Sequence, residues 1–273
     1  MKRDAIGVFD SGMGGLTAVK ELNRILPHEN IIYFGDTARV PYGSRSPETV
    51  WKYAQEDVAF LRKYSVKMII AACGTVSSIV GNRPLVQDMP FTGVIYPTVD
   101  AACAATKTGR IGVIGTPATV RSSSYQNAIL ERNPDLFVIA QACPLFVHLV
   151  ENGYTDRENP VTKLVAQEYL EPIRKAGVDT LIMGCTHYPL IRSTIARTMG
   201  DEVTLVNPAY ETAVQLRTLL RSMEMDCDGE QEVRVEEKYQ FYVSDMAEKF
   251  SSFAGFILPG KVKDTMLIDI EKY

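Results

Sequence analysis

Short apolar runs that close on a glycine or a polar residue, each followed by a stretch of helical period, recur throughout this chain. A brief apolar run bounded by turn signals reads as a buried parallel strand, and apolar residues at i, i+3 and i+4 read as a helix packed on it. Strands are predicted at 5–9, 30–34, 66–72, 91–96, 110–115, 136–142, 181–185, 203–206, 238–243 and 265–270. Helices are predicted at 16–26, 47–64, 99–106, 120–132, 144–151, 159–176, 189–199, 210–223 and 244–258. Pro47 suits a first helical turn, and Gly177 the position just past a helix end. Repeated alternation of strand and helix implies mainly parallel sheets with helices on both faces. Pro97 and Asn207-Pro208 mark the expected crossings, giving one α/β domain from 1–97 plus 208–273 and a second from 98–207. Residues 226–230 read as a polar connector.

One of these strand ends carries concentrated chemistry. Leu181-Ile182-Met183-Gly184 runs into Cys185-Thr186-His187, and then into a helical pattern. The carboxyl end of a parallel strand is where ligands bind. A thiol there, beside an imidazole and at the start of a helix, has two reasons to ionise; the alternative is a small buried cysteine filling the strand end. Lys67 to Thr75 follows the same plan, with Cys73 after the apolar run. The openings Ile6-Gly7-Val8 and Ile111-Gly112-Val113 echo each other, 105 residues apart, and the two cysteines lie 112 apart. Such self-similarity indicates two related halves, each presenting one thiol.

Composition narrows the function classes. The 273 residues leave room for two cores, and a net charge of −4 with mixed signs argues against a nucleic-acid or anionic-membrane surface. No apolar run reaches the roughly 20 residues of a membrane span, and Met1 to Asp4 lead straight into a strand without an apolar segment of signal length. A cytoplasmic protein is expected. Five irregularly spaced cysteines without C-x-x-C, and three scattered histidines, predict no disulfide framework and no metal.

Three other strand ends hold polar groups. Asp10-Ser11-Gly12-Met13-Gly14-Gly15 looks like a dinucleotide turn, but G-x-G-x-x-G requires glycine where Thr17 stands. What remains is a tight turn with a carboxylate and a hydroxyl, fit either for helix capping or for a crevice. Gly35 to Ser44, with Pro41-Tyr42-Gly43 inside it, is a candidate ligand loop or a plain surface turn. Thr116-Pro117-Ala118-Thr119 reads as a polar turn. Glu151 falls at a helix carboxyl end, where a carboxylate is mildly disfavoured, so it is either functional or simply solvated.

Taken together, Asp10 to Leu16, Gly35 to Gly43 and Gly184 to Leu190 resemble the glutamate racemases, within the broader aspartate/glutamate racemases. Ile111 to Thr116 and Val150-Glu151-x-Gly153 look like their family counterparts, and the resemblance runs from about residue 5 to 215. It implies two α/β domains related by pseudo-twofold symmetry with the active site in the crevice between them. It also implies inversion of the α-carbon of glutamate without a cofactor, supplying D-glutamate for peptidoglycan. By similarity Cys73 and Cys185 are the two bases, with Asp10 assisting Cys73, and His187 with Glu151 assisting Cys185. Ser11, Pro41, Tyr42, Gly43, Ser44, Gly74, Thr75, Thr119, Thr186, Asp10 and His187 would hold the amino acid. A homodimer is implied, with no nucleic acid or membrane partner. The chemistry fits: moving an α-proton from one face to the other needs one ionised and one protonated group, and a thiol with a pKa of about 8.5 can serve as either.

The chain departs from the family pattern at four places. The family usually reads C-N-T-A where Cys73-Gly74-Thr75-Val76 stands, so Gly74 replaces Asn and Val76 replaces Ala; it often has Pro-Gly where Pro97-Thr98 stands, and His148 replaces an expected proline. Losing a hydrogen bond to a charged group costs about 1.5–3 kcal/mol, which predicts weaker substrate binding unless other groups compensate. Three alternatives follow: racemization of another acidic amino acid such as aspartate, a catalytically weak amino-acid binder, and a thiol redox protein, the last opposed by the cysteine spacing.

Overall fold

The computed structural model describes residues 2–81, 85–227 and 235–273. Strand β1 (Ala5–Asp10), helix α1 (Leu16–Ile25), β2 (Ile31–Gly35), α2 (Pro47–Leu61), β3 (Val66–Ala71), α3 (Gly74–Val80) and β4 (Phe91–Gly93) open the chain. Helix α4 (Ile95–Ala105) leads to β5 (Arg110–Gly115), α5 (Pro117–Ser122), α6 (Ser124–Arg132), β6 (Phe137–Ala142) and α7 (Leu145–Glu151). Then come α8 (Pro160–Lys175), β7 (Thr180–Met183), α9 (Arg192–Met199) and β8 (Thr204–Val206). The chain closes with α10 (Pro208–Ser222), α11 (Val235–Lys238), β9 (Tyr239–Val243), α12 (Ala247–Ile257) and β10 (Thr265–Leu267).

The strands form two sheets, ordered β10-β9-β2-β1-β3-β4 and β6-β5-β7-β8, and every pairing is parallel. These are the two parallel-sheet α/β domains expected. Each repeats one arrangement: the first strand lies between the second and the third, with the fourth outside the third. Strands β9 and β10 extend the first sheet beyond β2.

Period-2 alternation supplies two cores per sheet. In β1, Ile6 and Val8 face α1 and α10, packing with Leu16, Val19 and Leu216, while Ala5 and Phe9 face α2, packing with Val58 and Leu61. In β5, Ile114 joins Leu170 and Ile173 on one face, while Ile111 and Val113 join Val99 and Ile129 on the other. Each large side chain buried this way contributes about 1.5–3 kcal/mol. Helix starts follow the capping rules: Ser46 accepts from the Thr49 N–H at 3.3 Å, and Asn159 from those of Val161 and Thr162, each ahead of a proline at the first helical position.

Four expectations are corrected. The strand at 91–96 ends at Gly93, and Pro97 sits in the first turn of α4, where its missing N–H costs no helical bond. The turn after Cys73 is the helix α3, hidden in the sequence because Thr75, Val76, Ile79 and Val80 are β-branched and poor helix formers. The helix expected at 120–132 begins earlier, as α5, and breaks at Ser123, whose φ is +54°. The helix at 189–199 is a 3₁₀ turn over Tyr188–Ile191 followed by α9. Of the connector read at 226–230, residues 228–230 lie outside the described residues. Among the described residues no helix is long and apolar enough to cross a membrane.

Lys67, the second residue of β3, is wholly buried and pairs with Glu29 at 2.5 Å. Its ammonium also donates to the carbonyls of Lys2 and Met225 at 2.9 and 2.7 Å, while the Cys227 N–H donates to Glu29 at 2.9 Å. Breaking one side of such a pair leaves a buried charge alone. Lys67→Met is therefore expected to lower stability by about 3–5 kcal/mol in a denaturant titration. Adding Glu29→Leu, which removes the stranded charge, should recover much of the loss.

Candidate active site

Strand pairing sets the floor of the site. Phe9 of β1 pairs with Ala71 of β3, so Asp10-Ser11 and Cys73 leave the first sheet side by side. In the second sheet Ile114 of β5 pairs with Met183 of β7, which brings Thr116 beside Cys185. Both sets of strand ends open on one crevice of about 580 Å³. The first sheet supplies Ser11, Cys73, Gly74 and Thr75, together with the loop from Val40 to Ser44. The second supplies Thr116, Thr119, Glu151, Cys185, Thr186 and His187. Hydroxyls link the walls: Thr75 and Thr116 meet at 3.4 Å, and Thr116 meets Thr119 at 3.0 Å.

The Val40–Ser44 loop rests on a buried charged cluster. The Arg39 guanidinium lies 4.1 Å over the Tyr53 ring and reaches Asp36 at 2.5 Å, Asp57 at 3.1 Å and Glu56. The Tyr42 hydroxyl donates to Asp36 and lies 3.1 Å from Asp57 Oδ2. Burial and the neighbouring Asp36 push the Asp57 carboxyl well above the usual carboxylate range. With three carboxyls around one guanidinium, a protonated Asp57 reduces the cluster's net charge from −2 to −1. Tyr42 is held by this cluster almost fully buried at the crevice wall. Ser244 ties the loop's base to the end of β9, donating to Asp36 at 2.7 Å and accepting from the Ala38 N–H at 2.8 Å.

The two thiols differ in their surroundings. Burial, with the Asp10 carboxyl beside it, pushes the Cys73 thiol up to about 12, and its Sγ donates to Ser11 Oγ at 3.4 Å. Asp10 itself is raised by burial, against the pull of His187 and of the main-chain N–H groups of Gly12 and Gly15, the Gly12 N–H donating to Oδ2 at 3.0 Å. Cys185 stands 3.8 Å from His187 Nδ1, and His187 Nε2 stands 3.1 Å from Glu151 Oε1. Burial opposes charge on His187, but hydrogen bonds and attraction from Cys185 and Glu151 outweigh it and raise its pKa to about 10. Glu151 resists its own partial burial and is lowered by His187 and by Lys249, whose Nζ lies 3.9 Å away. One wall therefore holds a protonated thiol over a buried acid; the other holds a thiol against an imidazolium–carboxylate pair.

The residues singled out in the sequence line this crevice, except Asp10, which lies behind the wall and 1% exposed. Cys185 leads into a turn and the 3₁₀ segment rather than directly into an α-helix. Thr116, Arg121, Val147 and His148 line the crevice and were not among the predicted binding residues. Thr116 could have been found as the hydroxyl at a strand end that caps the next helix, since it accepts from the Thr119 N–H at 3.3 Å. Arg121 gives no local signal; it reaches across the mouth to the Gly43 carbonyl at 3.4 Å.

Two parallel-sheet α/β domains thus place one cysteine each, Cys73 and Cys185, in the lining of a single crevice. A family model described as Asp/Glu/Hydantoin racemase matches residues 6–216. A glutamate racemase from Geobacter metallireducens is 46% identical over 269 residues, covering 98% of this chain and 97% of that protein. Among solved structures, a glutamate racemase isoform from Bacillus anthracis matches with a TM-score of 0.92 at 36% identity, covering 98% of both chains. Another, from Francisella tularensis and described in complex with D-glutamate, matches with a TM-score of 0.89 at 36% identity over 100% of both chains. The chain belongs to the Asp/Glu/hydantoin racemase family and, within it, to the glutamate racemases. It is an isomerase.

The raised His187 pKa has a defined sign. An ordinary histidine titrates near 6.5, so the stabilisation from the charged imidazole is fully present below that pH and is lost as pH rises through about 10. Replacing Glu151 with Gln removes a carboxylate that favours the charge. In an NMR titration of isotope-labelled histidine, Glu151→Gln should therefore lower the His187 pKa relative to the wild type.

Proposed function

We propose that this protein interconverts L- and D-glutamate by passing the α-proton between Cys73 and Cys185. One observation carries the reading: the two sheets place one thiol each on facing walls of a single crevice. In one direction Cys185, as the thiolate, takes the α-proton and becomes a thiol. Cys73 gives its own proton to the opposite face of the carbanion and becomes the thiolate. The reverse reaction exchanges the roles, so the two directions start from opposite protonation states.

The raised Cys73 pKa fits the role of donor in the first direction, and His187 with Glu151 serves Cys185 as its proton partner. Asp10, buried beside Cys73 beneath the wall, assists it. The hydroxyls of Ser11, Thr75, Thr119 and Thr186, with the main chain at Pro41, Tyr42, Gly43, Ser44 and Gly74, hold the substrate's charged ends. A buried site strengthens each of these contacts as charge develops at the α-carbon. The similarity to glutamate racemases supports glutamate as substrate, action without a cofactor, a supply of D-glutamate for peptidoglycan, a cytoplasmic location and a homodimer. The domains divide as 1–97 with 208–273, and 98–207.

The test is proton NMR of the protein with L-glutamate in D₂O, together with a chiral assay, repeated for D-glutamate and both aspartate enantiomers. Loss of the α-proton with formation of the opposite glutamate enantiomer is the expected result, and exchange of aspartate alone would reassign the substrate. Cys73→Ser and Cys185→Ser should each lower turnover by roughly 10²–10⁴-fold, the usual contribution of a positioned acid–base group. A variant that racemized at the wild-type rate would sink the two-thiol reading.

A further inference from the structure

An amino acid with two carboxylates and one ammonium is an anion, and a crevice that binds it gains from positive charge. Most of the nearby positive charge is already engaged. Arg39 meets three carboxyls beneath the Val40–Ser44 loop, and His187 is paired with Glu151. Gly74 brings no side-chain donor. Arg121 is the one lysine or arginine among the described residues that line the crevice. Its hydrogen bond among the described residues goes to a carbonyl, that of Gly43, and not to a carboxylate.

Helix α5 fixes where this side chain stands. Thr116 caps the helix and Pro117 opens it, and Pro117 and Arg121, one turn apart, both line the crevice. The helix packs against α3 and the Tyr42–Ser44 turn of the first domain. Just beyond it, the Ser124 hydroxyl donates to the Ser78 carbonyl of α3 at 2.8 Å. The bond to Gly43, at 3.4 Å, keeps the guanidinium at the mouth and uses one N–H of a five-donor fork. The thiols lie deeper, Cys73 6% and Cys185 8% exposed, whereas Arg121 is exposed at the rim. With the α-carbon between the sulfurs, the rim faces the end of the substrate's side chain.

We propose that Arg121 is a specificity-determining residue that binds the side-chain carboxylate of the substrate at the mouth of the crevice. The proposal rests on the reading of glutamate racemization above. A planar guanidinium takes a carboxylate through two parallel hydrogen bonds. Arg121 thus supplies, from the second domain, a donor to the substrate that Gly74 does not offer from the first. The side-chain carboxylate takes no part in the proton transfers. Its bond is equally strong before and at the transition state, so it sets KM and leaves kcat alone.

The experiment compares wild type, Arg121→Gln and Arg121→Lys, with Arg132→Gln as a control that removes the same charge from α6, where Arg132 bonds Asp100. Racemization of L- and D-glutamate is followed at low and high salt, glutamate binding is titrated by calorimetry, and thermal melting checks folding. Arg121→Gln should raise KM about 10-fold, the low end for a hydrogen bond to a charged group, with kcat nearly unchanged. Its KM should also rise less steeply with salt than that of the wild type. Arg121→Lys keeps the charge without the fork and should recover part of the affinity. A role confined to tethering the loop would instead move kcat and leave the salt dependence as it was. Wild-type KM and salt dependence in Arg121→Gln overturn the proposal, as does a loss confined to kcat or an equal rise of KM in Arg132→Gln. A wild type that binds glutamate without racemizing it overturns the two-thiol reading, and calorimetry on the same variants still decides the role of Arg121. A wild type that neither binds nor racemizes glutamate overturns both.

Discussion

The crevice depends on where the direction of connection reverses within each sheet. β1 connects to β2 on one side, while β3 pairs on its other side, so the loops leaving β1 and β3 diverge and leave space above the strand ends. The second sheet has the same order, and its space opens between β5 and β7. Both crevice cysteines sit at these two points, while Glu151 reaches the crevice from the end of α7. Asp10, Ser11 and Cys73 belong to the first, and Thr116 and Cys185 to the second. A strand shift of one residue would turn each of these side chains to the opposite face, so the buried alternation of Ile6, Val8 and Phe9 fixes the chemistry as firmly as it fixes the core.

Similar topology does not make the walls electrostatically alike. On the first wall, burial and a nearby carboxyl act in the same direction and keep the proton on Cys73. On the second, a histidine buried against its preference is kept charged by Glu151 and Cys185, and Lys249 steadies Glu151 from the first domain's helix α12. In the two-thiol mechanism proposed above, such unequal environments favour one of the two starting protonation states. A crevice with two identical walls would have no preferred resting state.

The sequence revealed the parts governed by local pattern. The β-α alternation, both thiols and the Asp10, Gly35–Gly43 and Cys185 segments were all visible, since buried parallel strands are continuous apolar runs and the chemistry lies at their ends. What was hidden depended on tertiary contact. α3 contradicts its own β-branched residues, Pro97 sits inside a first turn that resembled a strand end, and Arg121 bonds a loop 78 positions away.

The hydrogen bonds beneath the Val40–Ser44 loop join Asp36 and Ala38 to Ser244, across 208 and 206 positions of chain. Thr37 and Asp245 make two more, reciprocally. A chain emerging from the ribosome presents its N-terminal elements first, so this loop spends most of synthesis without its contacts to Ser244 and Asp245. Both thiols are already made when β9 arrives, and only then does the mouth of the crevice acquire its fixed rim. A chain released before residue 244 carries both sulfurs and the Arg39 cluster beneath the loop, but lacks the hydrogen bonds that tie the loop's base to Ser244 and Asp245.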